Sequence, residues 1–272
     1  MDPALLRHVE AVAADAESLD QVDPVDEATR LALRHQDPDS LHLWTSEAGF
    51  ALLIDDELTL VVSPAHRGRG AGGALMQQAL AVVAPESPLR AWSHSDHPAA
   101  AVLAPRAGMR RARELLVLAT EPRRGAPTPP PGVRIRNWQP QDADELLRVN
   151  AAAFADHPEQ GGMDATDLAR RMAEPWFDPA DLLVAVGPSG LVGFHWTKRH
   201  ASGAGEVYVI GVDPTAQGSG LGRVLLEAGL DHLAASGVER VHLYVEGDNT
   251  AALALYQRLG FTPVRTHVQY RR

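Results

Sequence analysis

Apolar and polar positions recur by two in some stretches of the chain and by three to four in others, and the switches between these periods lay out its elements. In the second half, "VRIRNW" alternates as a strand, and "QPQDADELLRVNAAAF" follows with helical spacing, Asp142 standing near the helix start. "DLLVAVGPSGLVGFHWTK" reads as a hairpin whose turn is marked by Gly187, Pro188, Ser189 and Gly190. "GEVYVIGV" predicts a further strand, with Glu206, Tyr208, Ile210 and Val212 on one face by the period of two. The helix predicted from Leu221 onward is apolar nearly all round. Its only polar stripe is Arg223, Glu227 and Asp231, so it is expected to be mostly buried. "VERVHLYVE" predicts a strand, "DNTAALALYQRL" a capped helix ending at Gly260, and "FTPVRTHVQY" a closing strand or hairpin. Strands and helices alternate, which makes the class α/β.

The same pattern occurs twice. "LVVSPAHRGRGAGGAL" (60–75) reads against "IGVDPTAQGSGLGRVL" (210–225) without a gap, at an offset of 150 residues. "WSHSDHPAAAVLAPRAGM" (92–109) reads against "YVEGDNTAALALYQRLGF" (244–261), now at an offset of 152. Two residues of drift over that length point to two copies of one fold. Between them, "EPRRGAPTPPPG" favours an extended, semi-rigid spacer and forbids helix. The expected division is a first domain over 1–120, a proline-rich linker over 121–132 and a second domain over 133–272. The first copy opens directly on helical sequence and shows no counterpart of "VRIRNW".

Composition narrows the classes. Cysteine is absent, which removes disulfides, thiolate metal sites and a cysteine nucleophile. No window is apolar over the length that a membrane span needs, and the acidic, amphipathic N-terminus is not that of a signal peptide. A cytoplasmic protein with no membrane partner is expected. The net charge of −10 argues against nucleic acid, because the densest basic run, "RAGMRRARE", is short and mixed.

The glycines carry the chemistry. A glycine-rich turn from strand to helix aims backbone N–H groups and the positive end of the helix dipole at one point, which suits phosphate. The Walker loop does not fit, since Gly222 is followed by Arg223 and Val224, and the spacing of Gly218, Gly220 and Gly222 is not that of the dinucleotide fingerprint. Both copies instead share Gln/Arg-x-x-Gly-x-Gly after a strand ending in Val-x-Pro. These loops, together with "DNTAALALYQRLGF", resemble the GNAT superfamily of acetyl-CoA-dependent N-acetyltransferases over nearly all of both halves.

The resemblance implies two tandem GNAT-type domains, each a mixed central sheet flanked by helices, with acetyl-CoA as cosubstrate. It places the coenzyme at Ile210, Gly211 and Val212, at Gln217, Gly218, Ser219, Gly220, Leu221, Gly222 and Arg223, and at Asn249. In the first copy it points to Leu60, Val61 and Val62, then to Arg67, Gly68, Arg69, Gly70, Ala71 and Gly72. Backbone N–H groups around 210–212 become candidates for the thioester carbonyl, because the strand splays there in the superfamily.

Acetyl transfer to an amine needs a base for the ammonium, a polarised carbonyl and a proton for the departing thiolate. Glu206, at the start of the strand that enters the loop, is placed to be the base, and the resemblance makes Tyr256 the acid. The first copy has Ala104 where the second has Tyr256, so the first domain is expected to bind acetyl-CoA or support the site without catalysing. "HPEQGGM", "GFHWTK" and "LYVEGDNTAA" further resemble a tandem branch of the superfamily that acetylates the cysteinyl amine of cysteinyl-glucosaminyl-inositol, closing the biosynthesis of a small thiol. That likeness implies acceptor contacts from Glu27, Glu159, Lys198, Glu206 and Tyr244, with the chain acting as a monomer. Two other readings stay open: transfer to another small amine, and a non-catalytic acetyl-CoA sensor. A metal site is not expected. No His-Glu-x-x-His occurs, and the cluster of His94, Asp96 and His97 overlies the ordinary helix cap of the other copy.

Overall fold

The computed structural model of the protein describes residues 2–35, 40–125, 127–155 and 160–272. Its two compact units do not follow the sequence repeat. The first comprises the chain up to Leu116 with Glu246–Asp248 and Arg265–Arg272; the second comprises Val117–Val245 and Asn249–Val264. Compared with a division at 121–132, residues 117–120 fall with the second unit and 265–272 with the first. The cause is strand pairing, which depends on backbone geometry and not on distance along the chain. The proline-rich segment is docked within the second unit, where Gly125 N donates to Asp231 Oδ1 at 2.8 Å.

The first unit opens on helices α1 (Pro3–Asp20) and α2 (Glu27–His35). Strands β1 (Leu41–Ser46), β2 (Gly49–Ile54) and β3 (Glu57–Val62) form an antiparallel meander. Helix α3 (Ala71–Leu80) leads to β4 (Arg90–Ser93), which runs parallel to β3, and α4 (Pro98–Arg106) follows. Strand β5 (Arg110–Thr120) passes from this unit into the next. No strand precedes α1 among the described residues, in keeping with the missing counterpart of "VRIRNW". Successive residues of β2 face opposite ways. Phe50 and Leu52 pack with Val9, Val12 and Ala16 of α1, while Ala51 and Leu53 pack with Leu75, Met76 and Ala79 of α3. The sheet is thus sandwiched between helices.

The second unit repeats the plan. Strand β6 (Arg134–Asn137) is followed by α5 (Ala143–Ala153) and α6 (Ala165–Met172). Strands β7 (Leu182–Gly187), β8 (Gly190–Arg199) and β9 (Gly205–Val212) continue the antiparallel order from β6. Then come α7 (Leu221–Ala235), β10 (Val241–Glu246), α8 (Thr250–Arg258) and β11 (Thr262–Arg271). The end of β11 lies in the first unit, where Val268–Arg271 pair antiparallel with β4. Leu146 and Val149 of α5 and Leu168 of α6 cover one face, against Leu182, Phe194 and Trp196. Leu221 and Leu225 of α7 cover the other, against Ala185, Ile210 and Val212.

Two irregularities of β9 open the sheet. Trp196 pairs with Val209 but its neighbour Thr197 pairs with Val207, so the register shifts by one residue at Tyr208, a β-bulge. The bulge overturns the expected shared face of Glu206, Tyr208, Ile210 and Val212. Tyr208 and Val209 both pack on the α5 side, whereas Ile210 and Val212 pack on the α7 side. The parallel pairing of β9 with β10 runs from Gly205 to Val207, although β9 continues to Val212 and β10 to Glu246. Beyond the bulge the two strands diverge.

Candidate active site

The divergence leads straight into the glycine loop. Gly218 and Gly220 hold φ of +77° and +82°, values that side chains on Cβ disfavour, and Gly220 caps α7 without any side-chain hydrogen bond. The N–H groups of the first helical turn therefore have no side-chain cap, unlike those of α8, where Asn249 Oδ1 accepts from Ala252 N at 3.1 Å. The loop is braced from below. Gln217 Nε2 donates to Val212 O at 3.3 Å, Ser219 Oγ to Ala216 O at 2.6 Å, and Arg148 Nη1 reaches Asp213 Oδ2 at 2.6 Å. Gly222 leaves space over the helix start, and a Cβ there would meet only Val212 Cγ2 at 3.7 Å. Gly211 is a packing glycine, whose Cβ would come within 2.9 Å of Phe194 Cε1. The donor set thus suits a diphosphate: short backbone N–H groups, a bare helix start and no opposing carboxylate from the loop itself.

Glu206 stands at the closed end of the same strand. It is 8% exposed, pairs with Lys198 on β8 and with His242 on β10, and accepts from His200 Nε2 at 2.7 Å. His242 Nε2 lies 3.7 Å from the same carboxylate oxygen. Burial pushes the Glu206 carboxyl up, yet the His200 hydrogen bond and the charges of His242, His200 and Lys198 outweigh it and hold the group below the ordinary carboxylate value. Burial keeps His242 below the ordinary imidazole value. At neutral pH the site therefore offers an ionised, desolvated carboxylate beside two imidazoles.

The other expected residues fall as follows. Lys198 is buried with its Nζ over the rings of Trp176, 4.3 Å, and Tyr208, 5.1 Å. Tyr244, 46% exposed, stacks edge-on with His242 at 5.7 Å, so Lys198, Glu206, His242 and Tyr244 form one patch across β8, β9 and β10. Tyr256 is buried on α8 against Phe261, and burial raises its hydroxyl to about 12, which keeps it protonated at neutral pH. Glu27 opens α2 in the first unit. Glu159 lies outside the described residues.

In the first unit the equivalent loop borders a cavity of about 620 Å³. Leu60, Val61, Val62, Arg67, Gly68, Gly70, Ala71 and Gly72 line it, as does Ala104; Arg69 is not among its lining residues. Gly68 and Gly70 again hold positive φ, +73° and +86°. Arg67, however, is engaged: Nη1 and Nη2 donate to the two oxygens of Asp20 at 2.7 and 2.6 Å. The histidine-rich stretch beside the cavity is structural. His97 caps α4 by accepting from Ala99 N, Asp96 pairs with Arg111 at 3.0 Å, and His94 Nδ1 lies 2.9 Å from His267 Nδ1.

Reasoning from sequence missed His200, His242, Asp20 and Arg148. Only His242 left a signal there, by standing two residues before Tyr244 in an alternating strand. The others meet their partners through the fold.

Comparison with known proteins places this arrangement of strands, glycine loop and helix in a family. The family model for acetyltransferase (GNAT) matches residues 147–261. By fold the chain is similar to a GCN5-related N-acetyltransferase from Sphaerobacter thermophilus, at a TM-score of 0.69, 22% identity, and 96% and 90% coverage of the two chains. It is also similar to a tandem GNAT protein from the clavulanic acid biosynthesis pathway, at a TM-score of 0.68 and 19% identity, covering 100% and 95%. The fold is thus that of an acetyl-CoA-dependent N-acetyltransferase with a GNAT domain. A mycothiol acetyltransferase of a Nocardioides species is 53% identical over 98% of both chains, and one of Actinosynnema mirum is 46% identical over 99% of this chain and 96% of that one. The chain belongs to the mycothiol acetyltransferase family.

Proposed function

We propose that the protein transfers the acetyl group of acetyl-CoA to the cysteinyl amine of cysteinyl-glucosaminyl-inositol, the last step in making mycothiol. The observation that carries this reading is the 53% identity to a mycothiol acetyltransferase over 98% of both chains, and the buried Glu206 carboxylate supplies a candidate base. Acetyl-CoA supplies an activated thioester. Gln217–Arg223 and the bare start of α7 would hold its diphosphate, and the backbone edge at Ile210–Val212 its acyl end.

Glu206 accepts the proton of the acceptor ammonium, and its ionised state at neutral pH leaves it free to do so. Lys198, close to Glu206 and fixed on two aromatic rings, positions the acceptor, with Tyr244 on the open side of the patch. The buried Tyr256 hydroxyl stays protonated and supplies the proton that the leaving sulfur requires. Glu159 is a further acceptor contact on this reading. Unit one, with Ala104 in place of a tyrosine, binds acetyl-CoA or supports the fold but does not catalyse. The same reading makes the protein a cytoplasmic monomer; no helix among the described residues is long and apolar enough to cross a membrane.

The test offers the purified protein acetyl-CoA with the cysteinyl compound, and spermidine and glucosamine in parallel, and follows acetylated product by mass spectrometry. Fast acetylation of the cysteinyl compound alone is expected. Product from another amine would overturn the acceptor, and acetyl-CoA binding without any product would overturn the enzyme.

A further inference from the structure

Three metal-ligating side chains converge beside β9. His200, Glu206 and His242 present ligand atoms that all lie within 4.8 Å of one another. They come from the turn after β8, from β9 and from β10, so the fold and not a sequence motif assembles them. Glu206 and His242 are direct neighbours in the parallel register, which fixes two of the three donors on rigid strands. A four-coordinate zinc ion with bonds of about 2.0–2.1 Å sets its donors roughly 3.3 Å apart. The carboxylate oxygen lies 2.7 Å from one imidazole nitrogen and 3.7 Å from the other, so these two pairs are within about 1 Å of that spacing, and the two imidazole nitrogens lie within 4.8 Å of each other. Both imidazoles are half-buried, which leaves them reachable from solvent, while the carboxylate beneath is nearly covered.

We propose that these three residues form an inhibitory binding site for a zinc-like divalent cation. Two imidazoles and one carboxylate are a donor set that zinc takes with a fourth position open. On binding, the ion takes the place of the hydrogen between His200 Nε2 and Glu206, and the neutral His200 ring keeps one proton, now on Nδ1. The carboxylate lone pair that would have received the ammonium proton is then given to the metal, so transfer stops. The inhibitory consequence rests on Glu206 being the base, as proposed above; the binding itself does not. The fourth position suits a thiol or amine ligand, the two groups that a cysteinyl acceptor carries.

The test titrates Co²⁺ into the full chain and reads the visible bands of a tetrahedral site, then measures Zn²⁺ by competition with a chromophoric chelator. One ion per chain is expected, with intense cobalt bands that Zn²⁺ abolishes. His200→Gln and His242→Gln are each expected to weaken binding by about tenfold or more, while His97→Gln, outside the cluster, leaves it unchanged. Circular dichroism of each variant shows that it is folded. Weak octahedral cobalt bands, or equal affinity in parent, His200→Gln and His242→Gln, would overturn the site. Loss of acetyl transfer to every acceptor would sink the enzymatic reading yet leave the cobalt spectrum standing, so the two failures are distinct.

Discussion

The two glycine loops are alike in backbone and unlike in chemistry. Each opens a helix on a glycine at positive φ, and in each the residue before the first glycine donates back to the strand end: Arg67 Nε to Val62 O at 3.1 Å, Gln217 Nε2 to Val212 O at 3.3 Å. Turn geometry of this kind survives on glycines and one side-chain donor, and needs no catalytic group. The chemistry differs at the strand start. Counting back by the repeat offset of 150 residues sets Asp56 against Glu206, and strand pairing, which the Tyr208 bulge shifts by one, sets Glu57 there. Asp56 and Glu57 lie 3.2 and 2.8 Å from the Arg90 guanidinium, and both are partly exposed. Glu206 is buried beside two imidazoles, His200 at 2.7 Å and His242 at 3.7 Å. Ala104 then stands where Tyr256 supplies a hydroxyl. A cradle marks where a nucleotide-like ligand can sit; the acid–base groups decide whether anything happens to it.

Breaking the acid–base half of this comparison has the largest expected effect. Glu206→Gln lowers kcat/KM about 10²–10⁴-fold with acetyl-CoA affinity kept, while Asp56→Asn changes turnover less than about twofold. Steady-state kinetics beside equilibrium binding reads both. Tyr256→Phe comes next, with kcat reduced about 10²-fold and KM for acetyl-CoA nearly unchanged; an unaltered kcat would remove the phenol from the mechanism. A smaller effect sharpens the cradle half. Asp20→Asn releases Arg67 from its carboxylate, and binding of acetyl-CoA in the first unit, read by calorimetry, should strengthen by about fivefold or less. Unchanged or weaker binding would show that Arg67 faces no anion.

The smallest effect is on acid stability. The Arg148 hydrogen bond, and after it those from Thr215, pull the Asp213 carboxyl down to about 2 from an ordinary 3.8. A folded value below the unfolded one gives stabilisation that is full above pH 3.8 and is lost as pH falls towards about 2. Tm measured across that window should fall more steeply for the parent than for Asp213→Asn.

Much of this was readable in the chain because local physics wrote it there. Alternation placed β6 to β9 within a residue or so and β10 within three, and the polar stripe Arg223, Glu227 and Asp231 marked the outer side of α7, whose Leu225 and Leu226 are fully buried. Glycines at 68, 70, 218 and 220 announced their positive φ, since no other residue holds such turns cheaply. What the chain did not disclose depends on contacts between distant segments. The end of β11 pairs with β4 of the first unit, a long-range backbone pairing that no local pattern records. The bulge at Tyr208 breaks a strict alternation that its sequence displays intact. The partners of Glu206 lie 6 and 36 residues away in sequence, on different elements, and no spacing rule joins them.

The central claim is that one cradle serves turnover and the other does not. Gly220→Val and Gly70→Val place the same strained side chain at the two equivalent helix starts, where φ is +82° and +86°. Acetyl transfer by the two folded variants, measured over a range of acetyl-CoA, decides between the loops. The account predicts that Gly220→Val raises KM for acetyl-CoA by about tenfold or more, and that Gly70→Val transfers acetyl at the parental rate. Loss of turnover in Gly70→Val with Gly220→Val unaffected would contradict it.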